Sequence, residues 1–157
     1  TNMAELTPYD LRSMKYLIKE AEHLEKLGKL DEAFNAYTQF IARAEEYLSK
    51  VTDLSETHIL KAQLGVAYNN RGYMRYLAVD FDEAIEDYSH GLANNPKIPC
   101  AYYNRGLIHY RMGRFNEAIA DMQACIQLDP NFEDAKMCLD QAVKDRNNAQ
   151  QSKHRNS

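Results

Sequence analysis

Apolar residues recur along this chain at helical spacing, in seven stretches separated by short polar breaks. Leu11, Met14, Leu17, Ile18, Ala21, Leu24 and Leu27 fall on one face of a first helix. Residues three and four apart share a helix face, so this stripe is what an amphipathic helix needs in order to bury one side. Thr7 and Pro8 read as a cap followed by proline at the first helical position, with Asp10 suited to the positive end of the helix dipole. Ala33, Phe34, Tyr37, Phe40, Ile41, Ala44 and Leu48 carry a second stripe to about Lys50. A turn and a restart near Ser55 then place Ile59, Leu60 and Leu64 on a third helix. Near the end, Phe132, Ala135, Leu139, Ala142 and Val143 make an apolar face opposite Glu133, Lys136, Asp140, Lys144 and Asp145. The expected helices span residues 8–27, 31–50, 56–78, 82–94, 98–112, 116–128 and 132–147. Residues 1–6 read as a flexible end, and 148–157, polar and without aromatics, as a disordered tail.

The middle of the chain is one pattern written twice. Tyr68-Asn69-Asn70-Arg71-Gly72 recurs as Tyr102-Tyr103-Asn104-Arg105-Gly106, and Phe81-Asp82-Glu83-Ala84 recurs as Phe115-Asn116-Glu117-Ala118. Gly72 to Gly106, Ala84 to Ala118 and Pro96 to Pro130 are each offset by 34 residues. A fixed period of that length is the signature of stacked helical hairpins, because one hairpin cannot bury its apolar face alone. Gly72 with Ala84, and Gly106 with Ala118, sit where the two helices of a hairpin must approach closely. Pro96 and Pro130 mark helix stops, since proline lacks the amide donor and disfavours helix just before it. Gly28 through Ala33 matches Gly113 through Ala118, which adds a degenerate first copy. From Ala33 to Ala84 is 51 residues, 17 beyond the period, so an insert lengthens the helices around it.

On these motifs residues 14–132 resemble the tetratricopeptide repeat family. The resemblance implies an all-α fold, a short right-handed α-solenoid of three helix-turn-helix repeats with a C-terminal capping helix. The repeats fall at about 14–47, 65–98 and 99–132, with the insert at 48–64 and the capping helix at 132–147, all within a single domain over 7–147. Members bind partners along the concave surface lined by the first helix of each hairpin, and the best-known site is a carboxylate clamp of lysine, arginine and asparagine. The positions aligned with that clamp hold Ile18, Glu22, Asn70, Cys100 and Asn104, so no cation is supplied and Glu22 would repel a carboxylate. The groove positions are Lys15, Ile18, Glu22 and Glu25, then Asn69, Asn70, Tyr73 and Tyr76, then Tyr103, Asn104, Leu107 and Tyr110. Tyrosine offers apolar area with a hydroxyl, and asparagine can bond a peptide backbone, which suits a peptide ligand with apolar anchors.

Composition narrows the function. An apolar fraction of 45% is enough for a sizeable core. With 19 basic and 23 acidic residues there is no global basic surface, which argues against a nucleic-acid binder. Three cysteines, Cys100, Cys125 and Cys138, lack metal-ligand or CxxC spacing and read as reduced thiols of a cytoplasmic or nuclear protein. No apolar run is long enough to cross a membrane. His23, His58, His90, His109 and His154 are scattered, with no HExxH, nucleophile elbow or phosphate loop, and His109 reads as a core or interface residue. Neither enzymatic activity, a cofactor nor a metal is expected. Arg71 and Arg105 each precede an aspartate, Asp87 and Asp121, by 16 residues, while the first copy lacks both partners. Joint presence and joint absence predict an ion pair between the two helices of a hairpin. The expected function is a non-enzymatic adaptor holding a peptide segment of a protein partner, as a monomer or weak homo-oligomer. The alternative is a structural subunit acting through self-association or docking by its repeat ends or insert.

Overall fold

A computed structural model describes residues 11–157, and every regular element among them is an α-helix. In order these are α1 (Leu11–Lys26), α2 (Leu30–Lys50), α3 (Leu54–Leu77), α4 (Phe81–Asn94), α5 (Pro99–Arg111), α6 (Phe115–Leu128) and α7 (Glu133–Arg155). Thr7, Pro8, Asp10 and the end expected to be flexible lie outside the described residues. From the end of α1 to the start of α7, each boundary falls within two residues of the one expected. The insert does lengthen α2 and α3. A loop over 51–53 joins them, and Asp53 caps α3 by accepting from the Ser55 amide at 3.0 Å.

Each hairpin turns in the same way. The first helix closes on one residue in the left-handed region, Gly28 (φ 74), Val79 (φ 64) or Gly113 (φ 73). The next amide then reaches back, Lys29 to the Leu24 carbonyl at 3.0 Å, Asp80 to Arg75 at 2.9 Å and Arg114 to His109 at 2.8 Å. That six-residue bond satisfies a carbonyl left over at the helix end and requires positive φ before it. Glycine takes this conformation freely; valine does so only under strain.

The chain divides into two compact units, residues 1–96 and 97–157. In the first, Met14, Ile18, Ala21, Tyr37, Phe40, Ala44, Leu60 and Leu64 form one buried core across α1, α2 and α3. Phe40, at 0% exposure, lies fully inside it. Ala84 is buried, and the missing side chain of Gly72 leaves room for Tyr88 and Asp87. In the second unit, Met122, Cys125 and Ala135 make a core joined by Tyr102, Phe132 and Leu139, and Ala118, Ile119 and Ala142 make another.

Both hairpins with the arginine–aspartate motif form the pair. Arg71 donates from Nε to Asp87 Oδ2 at 2.8 Å and from Nη2 to Oδ1 at 2.7 Å. Arg105 repeats the geometry on Asp121 at 2.9 and 2.6 Å. This planar two-bond fork is the strongest form of the arginine–carboxylate contact.

One expectation needs correction. Residues 148–155 continue α7 rather than forming a disordered tail. Extending an existing helix needs no new nucleus, and the stretch holds no glycine or proline to stop it. Lys153 and Arg155 also place positive charge at the negative end of the helix dipole.

Candidate functional site

In the first unit Lys15, Ile18 and Glu22 line a cleft of about 320 Å³ between α1 and α3, whereas Glu25, Asn69, Asn70, Tyr73 and Tyr76 lie outside it. Ile18, Ala62 and Val66 give it apolar lining, with Lys15, Glu22 and Gln63 beside them. Ile18 is itself only 5% exposed, so it belongs to the core as much as to the cleft. Ala62, Gln63 and Val66 precede or open the second repeat, and the repeat frame did not single them out. Their signal was the helical stripe 63, 66, 70, 73, which continues into Asn70 and Tyr73.

Farther along the same face, polar groups are already spoken for. The buried Tyr37 hydroxyl donates to Glu25 at 2.6 Å and accepts from Asn70 Nδ2 at 3.0 Å, and Asn69 Nδ2 donates to Asn70 at 3.3 Å. Burial first, and the Glu25 contact second, push the Tyr37 phenol well above its ordinary range. Glu25, Asn70 and Asn69 thus form a relay holding α1, α2 and α3 together. Tyr73 is the aromatic left open, at 41% exposure, stacked on Tyr76 at 6.3 Å. Tyr76 leans in turn on Phe81 at 5.8 Å and is half-buried.

In the second unit the expected ligand positions also pack toward the core beside α7. Tyr103 packs on Phe132, ring centroids 4.8 Å apart, and with Leu107 it joins the core that α7 closes. The Tyr110 hydroxyl donates to Asp145 at 2.5 Å and its ring lies against Ala118, Ile119 and Ala142. That hydrogen bond raises the Tyr110 phenol above its usual range. These three side chains each give part of their surface to the unit's own core and remain partly exposed. Asn104 remains half-buried and Cys100 exposed.

His109 lies inside this unit, its Nε2 3.9 Å from Asp121 Oδ2, and burial lowers its pKa from the ordinary value. Among the described residues, no three or more His, Cys, Asp or Glu side chains could hold a metal ion. No helix among them is long and apolar enough to cross a membrane.

Helix pairs repeating on a 34-residue period, each closed by the same turn, place the chain in the α-solenoid class of helical-repeat proteins. Residues 99–132 match the tetratricopeptide repeat, and residues 72–113 match a further description of the TPR repeat. Residues 72–132 therefore carry tetratricopeptide repeats. Similar solved structures include the first TPR of Spaghetti (RPAP3) bound to the HSP90 peptide SRMEEVD, at 24% identity and TM-score 0.67, covering 86% of this chain and 94% of that one. The Arabidopsis OM64 TPR domain is 21% identical with TM-score 0.66, covering 85% and 97%. The TPR2B domain of yeast Sti1, in complex with pHsp70, is 17% identical with TM-score 0.63, covering 83% and 96%.

Proposed function

We propose that the chain is a non-enzymatic interaction module that binds a peptide segment of a partner protein on the α1–α3 face, without gripping a terminal carboxylate. The observation that carries this reading is the cleft of about 320 Å³ lined by Ile18, Ala62 and Val66 and edged by Lys15, Lys19 and Glu22. An apolar hollow with few polar groups at its edge admits one or two side chains of a peptide and orients its backbone. The exposed Tyr73 extends the contact surface with a rigid ring and a hydroxyl. The peptides held by the TPR domains of Spaghetti and Sti1 support a protein ligand in general.

The ligand differs in kind from an acidic C-terminal tail. The clamp-aligned Ile18, Glu22, Asn70, Cys100 and Asn104 provide no lysine or arginine. Ile18 is committed to the core and Asn70 to Tyr37. Lys15 and Lys19 with Glu22 give the cleft both signs of charge, so an internal segment with aliphatic anchors, an acidic residue near the lysines and a basic residue near Glu22 fits it best. On this reading the partner is a protein, with neither nucleic acid nor membrane involved, in a cytoplasmic or nuclear setting.

Titration calorimetry with SRMEEVD tests the first part: no heat of binding is expected, and micromolar affinity would overturn it. Capture from lysate by the intact chain and by Val66→Glu tests the second, with the fold of the variant checked by circular dichroism. Proteins held by the first and lost from the second are groove ligands. If the two retain the same set, the cleft is not the binding site.

A further inference from the structure

A second hollow lies elsewhere in the first unit, at the hairpin tips. Leu30 and Phe34 from the start of α2, and Met74, Leu77 and Ala78 from the end of α3, wall an open cleft of about 530 Å³. Leu30 is 43% exposed and Leu77 50%, well beyond what single surface leucines need for packing. Asp31, Asp80 and Glu83 edge it. Arg75 also reaches the cleft, but its guanidinium lies 3.1 Å from Asp87 and 5.5 Å from the Phe34 ring centre, so its charge is answered from within. None of the three edge carboxylates takes part in an ion pair among the described residues. The cleft is therefore apolar inside and acidic outside.

The tip beside it differs from its two counterparts in the same chain. The residue in the left-handed region is Val79, where the other hairpins have Gly28 and Gly113. The following cap is Asp80, where the others have Lys29 and Arg114. Val79 stands between two cleft residues, Ala78 and Asp80, and is 67% exposed. A β-branched side chain held in a disfavoured backbone state and turned to solvent contributes nothing to packing. Strain kept without folding benefit, beside an unfilled apolar cleft, points to a contact made outside the chain.

We infer that this edge is a second docking site, for a protein segment presenting an aliphatic or aromatic anchor flanked by lysine or arginine. The anchor enters between Phe34 and Leu77, Val79 covers it from the tip, and the flanking cations meet Asp31, Asp80 and Glu83. Charge complementarity selects this occupant over an acidic or purely apolar one.

Fluorescence anisotropy with short labelled peptides tests it, using a leucine pair flanked by lysines and the same pair flanked by glutamates. The lysine-flanked peptide should bind the intact chain about tenfold or more tightly than the glutamate-flanked one. Val79→Gly should weaken it by a similar factor while melting no lower than the intact chain, so lost binding is not lost folding. Asp80→Lys with Glu83→Lys should weaken it likewise, and Val66→Glu should leave it unchanged. The proposal is overturned if the lysine-flanked peptide does not bind, or if Val79→Gly binds it as tightly as the intact chain. It is overturned also if Val66→Glu abolishes binding, which assigns the peptide to the α1–α3 face. Sedimentation showing self-association that Val79→Gly removes would instead make the edge a contact between copies.

Discussion

A Cβ added to Gly65 would lie 2.9 Å from the carbonyl oxygen of Gly91, and one added to Gly91 would lie 2.9 Å from the carbonyl oxygen of Gly65. The two glycines face each other where α3 crosses α4. Backbone meets backbone there, and no side chain can swing aside.

Gly65→Ala is accordingly expected to destabilise. Its new methyl would also sit 2.4 Å from Asn95 Cβ, and relieving both contacts requires the helices to part. Overpacking of this kind costs about 1–3 kcal/mol and exceeds the ~1 kcal/mol that alanine adds in a helix. At Gly106 the nearest atom is Met122 Cε, at 2.8 Å, the free end of a flexible side chain. Gly106→Ala should stay within about 1 kcal/mol of the parent, since methionine can repack. Urea midpoints for the two variants decide the matter, and equal midpoints would refute it.

Asp87 is 2% exposed at its side chain and answers both Arg71 and Arg75. Removing it strands two guanidiniums, so Asp87→Ala should cost about 3–5 kcal/mol. Asp121→Ala should cost less, because Arg105 is more open, at 22% exposure, and the second partner is a histidine able to give up its charge. Denaturant curves showing the reverse order would break this argument.

His109 stands 34 residues after Arg75 and meets Asp121 where Arg75 meets Asp87. Its Nδ1 is buried without a hydrogen-bond partner. Burial is the largest influence and lowers its pKa below 6.5; Asp121 and Glu117 pull the other way, and Arg105 and Arg114 add to the lowering. The unfolded chain therefore binds this proton more readily than the folded one. The stability tied to neutral His109 is complete above pH 6.5 and drains away as pH falls toward the depressed folded value. His109→Leu should lose stability less steeply over that interval. Parallel curves for the two proteins would disprove the linkage.

The three thiols should separate by reactivity. Cys100 is exposed, whereas burial pushes the Cys125 thiol up to about 11 and raises Cys138 as well. Thiolate is the reacting form, so a colorimetric disulfide reagent should find one fast thiol in the native chain and three in denaturant. Fast labelling of Cys125 in the folded protein would contradict its burial.

What could be read in advance was whatever the chain repeats. The helices and their turns follow from apolar spacing, and the Arg71–Asp87 and Arg105–Asp121 pairs from a motif present twice and missing once. The Gly65–Gly91 crossing escaped that logic because the positions one period later are Pro99 and Cys125. A contact made once has no second copy to expose it. The fate of Tyr103, Leu107 and Tyr110 was illegible for another reason: spacing reports a helix face, and only packing decides whether α7 or a ligand takes it. The end of α7 carried no signal at all, since exposed polar residues look alike in a helix and in a free tail.

Helix α7 begins at Glu133, one period after Pro99 opens α5. In that register Asp140 occupies the place of Gly106, and Asn147 the place of Gly113, where α5 has already ended. Among the described residues no helix packs against Asp140, which is exposed, and Met137 is 69% exposed. Helix α7 thus stands in the register of a first helix but lacks the small contact residue and the reversing residue of that register. Lengthening the protein by design therefore calls for rewriting Asp140 and Asn147 before any new helix is attached.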